Sequence, residues 1–248
     1  MGRVRAADNQ VIRWGPERAR TGPWRGDARV AYLAPLPEAP IPSVDFVRRC
    51  LDQLTGLGFA RVVTGALAPA EQGAFLAAGF EVTEHLHLLG RDLRHVPARG
   101  AWPRPDLAGL RMRRAGVADR PAVLALDHRA FSPFWRLDDA GLDEALSATP
   151  SSRFRVASHD GGAVGYAVTG RSRGRGFLQR LAVEPATQGR GLGRLLVLDA
   201  LAWLRRWRVD RVVVNTQLEN GRALELYESL GFRREPVGLS VLAVGLGG

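Results

Sequence analysis

The chain has 248 residues, 46% of them hydrophobic, with 35 basic against 25 acidic side chains and a formal charge of +10; this suits one large domain or two small ones with ample core. Its one cysteine, Cys50, excludes an internal disulfide and fits a reducing cytoplasm, no apolar run approaches the roughly 18 residues of a membrane span, and the charged first ten residues lack an apolar h-region, so no signal peptide is expected. Every basic residue is arginine and the arginines are spread along the sequence, which reads as compositional bias and makes a nucleic-acid partner an unlikely one, although the positive field would suit an anionic small ligand.

Residues 1–28 place Trp14 and Trp24 among Arg, Gly and Pro with no clear period. The stretch that follows has an echo downstream. Residues 54–64, LTGLGFARVVT, align with residues 204–214, LRRWRVDRVVV, at an offset of 150. Val47, Leu51 and Leu54 match Val197, Leu201 and Leu204. Across a loop two residues shorter, Phe75 falls on Tyr227 and Gly79-Phe80 on Gly231-Phe232. Such self-similarity marks an internal repeat. Residues 94–109 carry three prolines and read as a linker. The expected division is therefore 1–95, a Pro-rich linker at 96–108, and a second domain at 109–248.

In the second domain the pattern gives a strand at 110–113, a helix near 119–128, an aromatic loop at 131–136 and a short helix at 138–146. A hairpin turns at Asp160-Gly161-Gly162. A buried strand at 177–183 ends before Pro185, and a helix at 194–207 places Val197, Leu201 and Leu204 on one stripe with Arg194, Asp199, Arg205 and Arg206 off it. Further on come a β-branched strand from Arg211, a helix at 222–230 capped by Gly231, and a terminal strand near 239–244.

The turn between strand and long helix carries the chemistry. Gly189, Gly191 and Gly193 let a ligand approach the backbone, and the first helical amides have no intrahelical partner. Strand, glycine turn and helix start make a pyrophosphate cradle, with Arg190 and Arg194 adding charge. A Walker A loop is excluded because the chain has no lysine, and neither Gly189 nor Gly191 starts a G-x-G-x-x-G. What remains is Gln188-x-x-Gly191-x-Gly193 after Leu181-Ala182-Val183-x-Pro185, followed by Asn220, Tyr227 and Gly231-Phe232.

These two ordered motifs resemble the GNAT acetyltransferase superfamily over roughly residues 108–248. The resemblance implies a mixed α/β (α+β) sheet in the order β-α-α-β-β-β-α-β-α-β, acetyl-CoA as co-substrate, and transfer of its acetyl group directly to a primary amine. It implies that Leu181, Ala182 and Val183 offer an open edge to the pantetheine arm. Gln188, Gly189, Arg190, Gly191, Leu192, Gly193 and Arg194 then hold the pyrophosphate, Asn220 contacts the cofactor, and Tyr227 protonates the leaving thiolate. A backbone amide near Val183 would stabilise the oxyanion. The first half is then a degenerate copy: residues 38–43 contain no glycine and two prolines where the cradle belongs, and Phe75 has no hydroxyl.

The acceptor side is less defined. Phe131, Phe134 and Trp135 are candidates either for acceptor contact or for core packing. Asn215, a glutamate in relatives that acetylate ribosomal-protein N-termini, cannot act as a base, which leaves that subgroup as an alternative. Glu184 and Glu219 read best as solvated loop carboxylates. A non-catalytic acyl-CoA-binding regulator is the second alternative. His85 and His87 would share a strand face with no third ligand, so no metal is expected.

Overall fold

Between Gln10 and Trp24, where the sequence offers no period, two strands form. β1 (Gln10–Trp14) and β2 (Glu17–Trp24) make an antiparallel hairpin that buries Ile12 and Ala19. The structure, a computed structural model, describes residues 10–36, 38–94, 102 and 105–247; most of the proposed linker lies outside these. The chain continues through β3 (Asp27–Pro35), α1 (Val44–Gly56), β4 (Arg61–Thr64), α2 (Pro69–Ala77) and β5 (Glu81–Asp92). α1 begins where the Ser43 hydroxyl accepts from the Phe46 amide, and its buried Phe46, Val47, Cys50 and Leu54 fall on one face.

The described residues divide into two compact units. The first holds those up to Leu88 with Asn215–Glu219 and those from Glu235 onward; the second holds Leu89–Val214 and Asn220–Arg234. In the first unit the strand order is β1-β2-β3-β4-β12-β5, where β12 is the terminal strand Leu239–Gly245. This differs from the expected division, which left that strand with the second domain. β12 pairs antiparallel with β4 (Ala243 opposite Val63) and with β5 (Leu239 opposite Leu86). The reason is a vacant lane between β4 and β5: β12 fills it, buries Leu242 completely, and donates the Leu242 amide to Thr64 Oγ1 at 2.9 Å.

The second unit contains β6 (Arg111–Arg114), α3 (Arg120–Ala130), α4 (Asp139–Ser147), β7 (Ser151–His159), β8 (Gly162–Ser172), β9 (Arg175–Val183), α5 (Leu192–Arg206), the first residues of β10 (Arg211–Gln217), α6 (Gly221–Ser229) and β11 (Arg233–Arg234). Its strands run β10-β9-β8-β7-β6, and the last residues of β5 pair with β11, Gly90 opposite Arg233. Alternate residues of β8 serve opposite faces. Tyr166 and Val168 pack with Val123, Leu126 and Leu142 of α3 and α4, whereas Ala167 packs with Leu196, Leu201 and Leu204 of α5.

The element order expected from the sequence is present, including the turn at Asp160 and Gly161. The offset of 150 also has a structural counterpart. The Phe59 amide donates to Leu54 as that of Val209 does to Leu204, both at 3.2 Å. The Phe80 amide donates to Phe75 as that of Phe232 does to Tyr227, both at 3.1 Å.

Candidate active site

Two features of β9 open one of its edges. On one side it pairs with β8 as far as Val183, with a bulge at Gln179 where Val168 faces Arg180 and Thr169 faces Leu178. On the other side it pairs in parallel with β10 only from Arg175 to Phe177. Leu181, Ala182 and Val183 are thus held by β8 on one edge and lie beyond the β10 ladder on the other. The corresponding strand of the first unit lacks this opening, because β3 stays paired to β4 through Leu33 and ends two residues later at Pro35.

The turn after Val183 is built around its side chains and its glycines. The Gln188 carboxamide donates to the Val183 carbonyl at 3.1 Å and accepts from Arg222 of α6, which ties the strand end to that helix. Gly191 caps α5 in the left-handed region at φ 85°, a conformation that costs any residue with a Cβ. A Cβ on Gly193 would stand 3.1 Å from the Leu226 side chain, so α5 and α6 approach through that glycine. Arg194 adds a bond to Ser229 at 3.2 Å, and Arg190 is exposed at the rim with its carbonyl accepting from Asp106 at 3.0 Å. Leu192 is buried beneath the turn. These residues fit an anionic pyrophosphate: the first amides of a 15-residue helix carry its positive end, and two arginines flank them.

The start of α1 in the first unit is different. The Glu17 carboxylate accepts from the Ser43 amide at 2.5 Å and from its hydroxyl at 3.1 Å, so a side chain already sits at the start of α1. Cys50, on that helix, is buried, and burial together with the nearby Glu17 pushes its thiol up to about 12, which leaves it a poor nucleophile.

Tyr227 lies on the inward face of α6, 5% exposed, with its ring 5.6 Å from that of Phe232. Burial raises its pKa above the usual value near 10, partly offset by the charge of Arg180, so the phenol stays protonated at neutral pH. Asn220 caps α6, its carboxamide oxygen accepting from the Ala223 amide at 3.1 Å. Glu184 is engaged by Arg129 at 2.7 Å, and Glu219 is exposed. Among the described residues no cluster of His, Cys, Asp and Glu has metal-binding spacing.

The aromatic loop is organised by residues the sequence reading passed over. Asp127 of α3 is fully buried and accepts two bonds from Arg180, both at 2.9 Å, one from the Tyr166 hydroxyl at 2.5 Å and one from the Leu137 amide at 2.8 Å. Arg180 also donates to the Trp135 carbonyl at 2.7 Å and stacks 3.5 Å over the Phe131 ring. Phe134 and Trp135 meet edge to face at 5.0 Å. Phe131, Phe134 and Trp135 are all half-buried, and the loop is pinned to β9 beside the open edge. One signal was available: Asp127 follows Val123 and Leu126 on the apolar face of its helix, where an unpaired carboxylate would be untenable. Asp199, expected off the stripe of α5, is likewise buried, because Arg153 and Arg155 of β7 reach it at 3.0 and 3.1 Å. Asp127→Ala would strand Arg180 without its partner, and urea denaturation should register a loss of about 3–5 kcal/mol.

A splayed strand, a glycine cradle at a helix start and a buried phenol on the next helix define the GNAT class. Residues 120–232 match the family model for the acetyltransferase (GNAT) family, which places this part of the chain in that superfamily. The curated mycothiol acetyltransferase of Amycolatopsis mediterranei is 31% identical over 75% of this chain and 65% of its own length. That of Thermobispora bispora is 35% identical over 65% of this chain and 58% of its own length. The N-alpha-acetyltransferase 30 of Saccharomyces cerevisiae is 40% identical, over 24% of this chain and 34% of its own. The chain thus spans less than two thirds of the length of the mycothiol acetyltransferases it matches. Among solved structures, a tandem GNAT protein from the clavulanic acid biosynthesis pathway superposes with a TM-score of 0.68 over 96% of this chain and 82% of its own, at 16% identity. A GCN5-related N-acetyltransferase from Sphaerobacter thermophilus gives 0.61 over 93% and 77%, at 15% identity. The fold therefore resembles that of these proteins across nearly the whole chain.

Proposed function

We propose that the second unit is an acetyl-CoA-dependent N-acetyltransferase acting on a primary amine, and that the first is a GNAT-like unit without a cofactor site. The observation that carries the reading is the open edge of Leu181–Val183 running into the Gly189–Gly193 turn, with a buried, protonated Tyr227 on the helix packed against that turn. Acetyl-CoA supplies an activated thioester. Around it the chain does four things. The amides of Leu181 to Val183 orient the pantetheine arm as an added strand. The start of α5, with Arg190 and Arg194, holds the pyrophosphate. The backbone near Val183 polarises the carbonyl. The Tyr227 hydroxyl gives its proton to the departing sulfur. Holding the thioester and the amine together supplies much of the rate.

A small-molecule amine is the favoured acceptor, because similarity to the mycothiol acetyltransferases extends over far more of the chain than that to the N-alpha-acetyltransferase. The second reading is a protein N-terminus, favoured by the aromatic loop at 131–135. Release of free thiol from acetyl-CoA should be steady with small amines and weak with N-terminal peptides; release with neither class would leave an acyl-CoA-binding protein. The cofactor assignment has its own check. Gly191→Glu forces a side chain into the left-handed region and sets a carboxylate against the pyrophosphate. Calorimetric titration with acetyl-CoA should give one site per chain, lost in this variant; two equivalent sites would return a cofactor to the first unit.

A further inference from the structure

The end of the second unit opposite the cradle is strongly basic. α5 starts at the cradle and ends about 22 Å away by its length. There Arg205, Arg206 and Arg208 are exposed around Trp207, itself 54% exposed. The hairpin between β8 and β9 reaches the same place: Arg171 stacks 4.2 Å over the Trp207 ring, and Arg173 and Arg175 are exposed beyond it. The start of β10 joins them, since Arg211 lies opposite Arg175 in the ladder and the Asp210 amide donates to the Gly174 carbonyl. Seven arginines from three segments therefore meet at this end, with Asp210 beside them. A second aspartate brought here by the bond from the Leu93 amide to the Asp210 carbonyl, Asp92, is already paired with Arg94 at 2.7 Å.

Helix-dipole compensation accounts for Arg205 and Arg206 in the last turn of α5 but for none of the others. A composition spread evenly over the surface would not concentrate here either. We infer that this end is a docking surface for a single-stranded nucleic acid, with phosphates on the arginines and a base stacked at Trp207. An exposed indole among guanidinium groups is the arrangement that holds an unpaired base beside its backbone. A lipid surface fits less well, because among the described residues Trp207 is the one large exposed apolar side chain at this end. The surface lies away from the cradle, so binding there would leave acetyl-CoA in place. This inference does not rest on the acetyltransferase reading.

The test uses the full chain and a fluorescein-labelled oligouridylate of about 12 nucleotides, followed by anisotropy from about 50 to 200 mM salt. For about four phosphate contacts, log Kd against log salt should have a slope near 3. Reversing charge at Arg206 and Arg208 should weaken binding at least about tenfold and lower that slope. Trp207→Ala should weaken it by roughly tenfold with the slope unchanged. Acetyl-CoA titration should be the same in all variants, which separates loss of the surface from loss of the fold. No saturable binding at about 50 mM salt, or variants that bind like the parent, would overturn the proposal. So would equal competition by polyglutamate or by phosphatidylserine vesicles at matched charge, which would assign the surface to an acidic protein or to a membrane.

Discussion

Tyr227→Phe should lower kcat by roughly 10²- to 10⁴-fold, the range for removal of a general acid, with acetyl-CoA affinity nearly unchanged. The substitution keeps the ring in its place against Phe232 and in the core beneath α6, so the loss would report the hydroxyl and not the packing. The pH profile carries independent information. Burial holds the Tyr227 pKa above the usual phenol value, with Arg180 opposing only part of that shift. An acid acts while protonated, so its contribution is full below its pKa and lost above it. Ionisation of this group should therefore place no alkaline limb on kcat below about pH 10, and any limb seen at lower pH would belong to another group. Full turnover in Tyr227→Phe under conditions where chemistry is rate-limiting would assign the proton to water or to another residue.

Deleting residues 1–95 should give a chain that aggregates or unfolds, although every proposed catalytic and cofactor-binding residue is retained. The reason lies in which strands each unit contains. The second unit takes from this segment Leu89 and Leu93, both buried in the core around α5, the partner of β11, and the Arg91 guanidinium that donates to the Leu230 carbonyl. Each buried leucine lost costs about 2–5 kcal/mol, against a typical total of about 5–15 kcal/mol. The same deletion removes β4 and the body of β5, leaving β12 with Val241 and Leu242 unpaired and exposed, an open apolar edge of the kind that aggregates. Light scattering and a thermal melt of residues 96–248 would decide it. A monomeric chain as stable as the parent would make the first half an independent module, with a role in partner or acceptor recognition.

Much of the candidate site was legible in the residues because the features that make it a candidate are local. A cradle needs glycines at fixed spacing between a strand and a helix, and Gln188, Gly191 and Gly193 supply them within six residues. Tyr227 and Gly231-Phe232 lie on one short helix and its cap, so they too read directly. The offset between residues 54–64 and 204–214 was visible for the same reason: a helix end and the strand after it form one local pattern.

What escaped the sequence depends on partners far along the chain. Asp127 finds Arg180 53 residues away and Tyr166 39 away, and Asp199 finds Arg153 46 away; a buried carboxylate is tolerable only once such partners are in place, and no local pattern names them. The arginines at 171–175, 205–208 and 211 are dispersed in sequence, and only the meeting of the β8–β9 hairpin, the end of α5 and the start of β10 makes them one surface. The terminal strand shows the same limit. Its short apolar run pointed to a strand near residues 239–244, but the vacant lane between β4 and β5, created by tertiary structure alone, decided which unit it completes, because an unpaired backbone edge takes whichever partner the fold brings within hydrogen-bonding distance.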